Sequence, residues 1–128
     1  MILQFAYSIL LGFLIGLERE LRGKAIGIKT TSLITLGSTL FVSMSPIIDD
    51  YSRIIAQVVS GVSFICAGVL IKDKDHITGL TTSAILWSSA AIGCLVGIGN
   101  YMEAFIGTLF IMLIMWVFPF FKYDKRNI

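Results

Sequence analysis

Long runs without a charged residue alternate with short polar islands along this chain. The runs are Met1–Leu17, Thr30–Ile48, Ile54–Ile71, Ile77–Met102 and Ala104–Phe121. At about 1.5 Å per residue, an uncharged helix of roughly 20 residues crosses the hydrocarbon layer of a bilayer, and all five runs fit or come close. The islands between them, Glu18–Lys29, Asp49–Arg53, Lys72–His76 and Glu103, are too short for a soluble domain. The pattern predicts an all-α polytopic membrane bundle of about five transmembrane helices. Residues 1–121 then form the transmembrane domain and 122–128 a short basic tail.

Composition agrees. Of 128 residues, 56% are apolar and 14% charged, against about a quarter charged in soluble domains. Lipid is as apolar as leucine, so the stabilisers are close helix packing and internal hydrogen bonds. The islands also set orientation. Arg19, Arg22, Lys24 and Lys29 lie in the first, Arg53 in the second, Lys72 and Lys74 in the third, and Lys122, Lys125 and Arg126 in the tail. With five spans, nine basic residues fall on one side and one on the other, so the positive-inside rule puts the amino terminus outside and the carboxyl terminus in the cytoplasm. The first run has no basic leader and no small-residue cleavage pattern before Glu18, so it reads as a retained span, not a secretory signal.

Catalytic and metal chemistry find little support. Cys66 and Cys94 both lie mid-run and read as small packing residues. His76 with Asp73 and Asp75 is a poor metal set. No phosphate-binding, dinucleotide-binding or HExxH motif occurs, which excludes an ATP-driven pump and argues against an enzyme or a bound cofactor. Nothing points to nucleic acid. Magnesium binding by the outer carboxylates Asp49, Asp50 and Glu103 is undetermined by spacing, since magnesium keeps several waters and needs few carboxylates.

The runs are themselves patterned. Gly12 and Gly16 form a GxxxG, and Ser89, Gly93 and Gly97 form a four-residue ladder; such stripes let another helix backbone approach closely. Ser32, Thr35, Thr39 and Ser43 fall on one stripe of the second run. Gln57, Ser60 and Ser63 fall near one face of the third, with Gly61 and Gly68 two turns apart. These polar groups either line a path through the membrane or hydrogen-bond between helices. Glu18 stands at the hydrocarbon boundary, directly ahead of Arg19, Glu20 and Arg22. An acid at that depth is costly, which makes it a functional candidate; the alternative is that Glu18 and Glu20 pair with Arg22 or Lys24 at i+4 to steady a helix end.

Several blocks together resemble one family. Gly16-Leu17-Glu18-Arg19-Glu20, Arg22-Gly23-Lys24 and Gly27-Ile28-Lys29-Thr30 look like the opening motif of the MgtC/SapB family of bacterial inner-membrane proteins. Arg53 with Ala56-Gln57-Val58-Val59-Ser60-Gly61, and Phe64 through Ala67-Gly68, is similar to its third-span pattern. Gly79-Leu80-Thr81-Thr82, Ala84, Leu86-Trp87 and Ala90-Ala91-Ile92-Gly93, on to Gly97 and Gly99-Tyr101, matches its fourth. Lys29 replaces a usual Arg, keeping the charge but losing a planar fork; Ala25-Ile26 replaces a typical Pro-Ala, and Ser63 and Cys66 stand where small or aliphatic residues are commoner. Many members carry a soluble cytoplasmic domain after the last span, so the chain reads as a short form without it.

The resemblance implies a virulence-associated inner-membrane protein linked to magnesium homeostasis, which modulates other membrane machinery, including the F-type ATP synthase, by association within the bilayer. The functional candidates are Glu18, Arg19, Glu20, Arg22, Lys24, Lys29, Thr30, Gln57, Gly61, Gly68, Gly79, Thr81, Thr82 and Trp87, and the small-residue spacing gives Gly12, Gly16, Ser89, Gly93 and Gly97 as helix-packing residues. The expected partners are the bilayer, other membrane proteins and further copies of the chain. The alternatives are a small magnesium or cation transporter or channel lined by Glu18 and the hydroxyl stripe, and a purely structural subunit of a larger complex.

Overall fold

The computed structural model describes residues 1–24, 26–73 and 76–118. The chain is a helical membrane bundle. In order it forms α1 (Ile2–Leu21), α2 (Ile28–Ser43), the one-turn α3 (Ser45–Ile48), α4 (Tyr51–Val69), a hairpin of β1 (Ile71–Asp73) and β2 (His76–Thr78), α5 (Leu80–Ile98) and α6 (Tyr101–Val117). Among the described residues, α1, α4 and α5 are long and apolar enough to cross a membrane, while α6 is apolar at 17 residues and α2 spans 16.

The helices follow the uncharged runs, but their ends obey local chemistry. α1 continues through Glu18, Arg19 and Glu20, and stops where Gly23 takes a left-handed φ of 64°. There the Lys24 N–H reaches the Arg19 carbonyl at 3.0 Å and the Gly23 N–H reaches that of Glu20 at 3.1 Å, a Schellman closure. The fourth run, expected as one span from Ile77 to Met102, is divided. Ile77 belongs to β2, and Gly99 (φ 95°) ends α5 with the same two-bond closure onto Leu95 and Val96. Glu103 is therefore not a loop residue; it lies in the first turn of α6, where a carboxylate suits the positive helix end. The third island is a hairpin, with Ile71 opposite Thr78 and Lys72 opposite Ile77. At the other end of the molecule Asp50 starts α4, its Oδ1 accepting the Arg53 N–H at 3.0 Å.

α2 sits at the centre, wedged between α1 and α5. Gly12 and Gly16 bring α1 onto it: an added Cβ at Gly12 would lie 2.7 Å from the Ser32 Cα, and one at Gly16 2.6 Å from the Ile28 Cα. Gly93 and Gly97 bring α5 onto its other side, where a Cβ would strike the Thr35 carbonyl and approach the Val42 Cβ at 2.6 Å. Two apolar clusters flank this sandwich. Leu11, Ile15, Ile92, Val96, Ala104 and Met115 join α1, α5 and α6; Val42, Val58, Val62, Cys66, Leu86 and Cys94 join α2, α4 and α5. α5 contributes to both and is 50% buried over its apolar window, against 17% for α4.

Hydroxyls fasten the sandwich. Thr31 Oγ1 donates to the Gly12 carbonyl of α1 at 2.8 Å. Thr39 Oγ1 lies 2.9 Å from the Gly93 carbonyl of α5 and 2.7 Å from Ser8 Oγ of α1. Thr35, Ser38 and Ser43 donate back to carbonyls one turn earlier. The buried set is thus Thr31, Thr35, Ser38 and Thr39, shifted from the expected stripe of Ser32, Thr35, Thr39 and Ser43, because α2 is gripped on two sides and not one. Of the expected stripe only Thr39 bonds to other helices, Thr35 and Ser43 bond back along α2, and Ser32 Oγ has no partner among the described residues.

Candidate functional site

The charged residues of the first island meet the bundle where α1 ends. Because α1 extends a turn beyond its uncharged run, Glu18 and Arg19 are carried into the protein and keep only 3% and 7% exposure. They face different neighbours. Glu18 Oε1 is ion-paired with Arg22 Nε one turn on, and the Arg22 guanidinium carbon lies 5.9 Å from the centre of the Trp116 ring of α6, within cation–π range. Arg19 points the other way, and its Nη2 donates to Thr82 Oγ1 in the first turn of α5 at 2.6 Å. Glu18 Oε2 and Arg19 Nε have no hydrogen-bond partner among the described residues. Two adjacent buried charges of opposite sign, each incompletely satisfied, are expensive in a membrane helix.

The surroundings hold this end rigid. Glu20 does not pair with Lys24 as the i+4 alternative has it; its Oε2 accepts the Ile28 N–H at 3.2 Å and caps α2 across the intervening turn. Gly27 leaves room for that carboxylate, since a Cβ there would collide with it. Gly79, at φ 86°, starts α5 against the end of α4; a Cβ would stand 2.5 Å from the Val69 carbonyl. One turn along, Ser83 Oγ donates to the Cys66 carbonyl at 2.7 Å and Cys66 Sγ to that of Ser83 at 3.3 Å. α4, α5 and α1 are thereby tied together around Arg19.

Of the candidate residues, Glu18, Arg19, Arg22 and Thr82 come together, with Glu20 and Gly79 bracing them. Lys24, Lys29 and Thr81 are exposed nearby along the chain and Thr30 is half-buried. Gln57, Gly61 and Gly68 are not part of this cluster: they are exposed on α4, and open space surrounds both glycines. Trp87 is exposed on α5. Gly12, Gly16, Gly93, Gly97 and the buried Ser89 face inward. Among the described residues no group of three or more His, Cys, Asp and Glu side chains converges. The expected tail, 122–128, and the loop residues Lys74 and Asp75 beside His76 lie outside the described residues.

Sequence reasoning passes over several contacts. Trp116 has no motif to single it out. At the opposite end Gln4 Nε2 donates to the Val96 carbonyl at 2.8 Å, and Tyr7 Oη to that of Tyr101 at 3.0 Å. The only signal for these is a polar group inside an otherwise apolar run.

A family model described as the MgtC family matches residues 5–123. The chain belongs to the MgtC family. Protein SapB of Bacillus subtilis is 40% identical over 92% of this chain and 56% of its own length. Protein MgtC of Salmonella typhimurium is 41% identical over 87% of the chain and 49% of its own length. Protein MgtC of Brucella abortus is 40% identical over 85% of the chain and 47% of its own length. The chain thus spans about half the length of the curated relatives it matches. No solved structure matches. The matched region of this MgtC-family member contains both the Glu18–Arg22 cluster and the glycine contacts around α2.

Proposed function

We propose that this protein is a non-enzymatic, multi-pass protein of the bacterial inner membrane, linked to magnesium homeostasis, that modulates other membrane machinery through helix–helix association. The magnesium link rests on family membership. The orientation, amino terminus outside and carboxyl terminus cytoplasmic, rests on the nine-to-one distribution of basic residues.

The observation that carries the reading is the commitment of the interior hydroxyls. Thr31, Thr35, Ser38 and Thr39 are all hydrogen-bonded to backbone carbonyls, while the buried Ser32 and Ser45 hydroxyls have no partner among the described residues; the balance supports a fastened core over a hydrated path. The glycines of α1 and α5 are occupied inside the bundle as well. Among the described residues α4 leaves a group of small and polar residues facing lipid: Gln57, Ser60, Gly61, Ser63 and Gly68 are all exposed. Small-residue faces suit close association in lipid, so the face of α4 that carries Ser60 and Ser63 is the side on which a membrane partner such as the F-type ATP synthase, or a second copy, would pack.

A second reading, a cation transporter, draws on one observation: Glu18 is a buried acid with an oxygen lacking a partner among the described residues. Purified protein in liposomes separates the two. Absence of protein-dependent magnesium flux, together with membrane proteins recovered by cross-linking to α4, supports the regulator; protein-dependent flux lost in Glu18→Gln supports transport.

A further inference from the structure

α2 touches α4 far less than it touches α1 or α5, and a groove of about 790 Å³ opens between α2 and α4. Its walls include Gly37 and Phe41 of α2 and Arg53, Gln57, Gly61 and Ile65 of α4. Gly37 and Gly61 both leave open space where a side chain would stand. We propose that this groove binds one anionic phospholipid, an acyl chain lying along it and the phosphate held by Arg53.

Three observations point to that occupant. The first is length. From Arg53 to Ile65 the groove follows α4 for about 18 Å at ~1.5 Å per residue, the depth of one leaflet of a ~30 Å hydrocarbon core. A transmembrane partner helix would need a groove running through both leaflets.

The second is the order of polarity. The wall is apolar along its length, and Ser38 within it donates back to the Ile34 carbonyl at 2.9 Å. The polar groups concentrate at one end, with Gln57 one turn inside Arg53. That is the order of an amphiphile standing in a leaflet.

The third is charge. Arg53 lies in the first turn of α4, where the helix dipole favours a phosphate. Asp50 faces the Arg53 backbone N–H, and the Arg53 guanidinium has no ion pair or hydrogen bond among the described residues. Exposed Asp49 adjoins this end as well, so the phosphate must be gripped by the planar fork of Arg53 and not by a general positive field.

The test is native mass spectrometry of the protein released from nanodiscs of equal parts phosphatidylglycerol and phosphatidylcholine. One phosphatidylglycerol per chain is expected to stay bound, about tenfold in preference to phosphatidylcholine, the scale of one charge-assisted contact. Arg53→Gln should bring that preference close to one. Gly61→Phe, which fills open space and leaves the fold intact, should expel both lipids. Equal retention of the two lipids by the unsubstituted protein, or an undiminished preference in Arg53→Gln, would overturn the proposal. So would displacement of the lipid by millimolar inorganic phosphate, which would make the site one for free phosphate. Disulfide capture of another chain's helix by Gly61→Cys in lipid-replete membranes would give the groove to protein and overturn it equally.

Discussion

The two sides of α2 carry the same small residues to opposite ends. Toward α1 and α5, glycine stands wherever a backbone comes near: Gly12, Gly16, Gly93 and Gly97 each have a main-chain atom or a branched side chain where a Cβ would go. Toward α4, Gly37 and Gly61 face empty space, and Gly68 on the same helix does likewise. In lipid there is no hydrophobic drive to close such a gap, so contact forms only where shape and hydrogen bonds favour it. The tight side has both, through Thr31 and Thr39. The open side has neither, and there the protein has surface to offer.

The contrast breaks most readily at Gly16. A leucine there must enter the start of α2, where its Cβ would stand 2.6 Å from the Ile28 Cα and 2.8 Å from the Ile28 nitrogen. We expect a loss of about 3 kcal/mol, the upper range for over-packing, seen as a collapse in monodisperse, detergent-extracted protein. Next is Thr39→Val, which keeps the shape but removes the bonds to Ser8 and Gly93. Two inter-helix hydrogen bonds in a membrane are together worth about 1–2 kcal/mol, so the unfolding midpoint should fall measurably while oligomeric state and yield hold.

Glu18→Gln sharpens the comparison from the charged end. Arg22 remains about a third exposed and the amide oxygen still accepts a hydrogen bond, so the stability cost should be about 1 kcal/mol, below that of breaking a fully buried pair. If this cluster is functional, growth in low magnesium should drop toward that of a deletion strain although the variant accumulates normally. Normal growth would make Glu18 structural.

Much of this is legible in the sequence because lipid imposes a simple rule. Uncharged runs of the right length become helices, and Glu18 stands out through its depth alone. The ends are less legible. Nothing in hydropathy separates Ile77 from α5, and only the positive φ of Gly99 divides α5 from α6. The i+4 rule pairs Glu20 with Lys24, yet a left-handed closure at Gly23 swings the chain so that Ile28 offers Glu20 a free N–H. Thr31 and Ser38 escape a single stripe drawn on a helix that has two buried sides. Gly61 and Gly93 are both glycines within uncharged helical runs; what separates them most is the neighbour across the gap, and that is a property of the assembled bundle.

That difference is also the most direct measurement. Gly93→Leu and Gly61→Leu make the same chemical change on two helices that both pack against α2. Their unfolding should be followed side by side in one detergent. Gly93→Leu should lose about 3 kcal/mol, because the Thr35 carbonyl and Ser38 Cβ occupy its space. Gly61→Leu should stay within about 0.5 kcal/mol of the unsubstituted protein. Equal losses, or a greater loss at Gly61, would contradict a bundle closed around α1, α2 and α5 and open along α4.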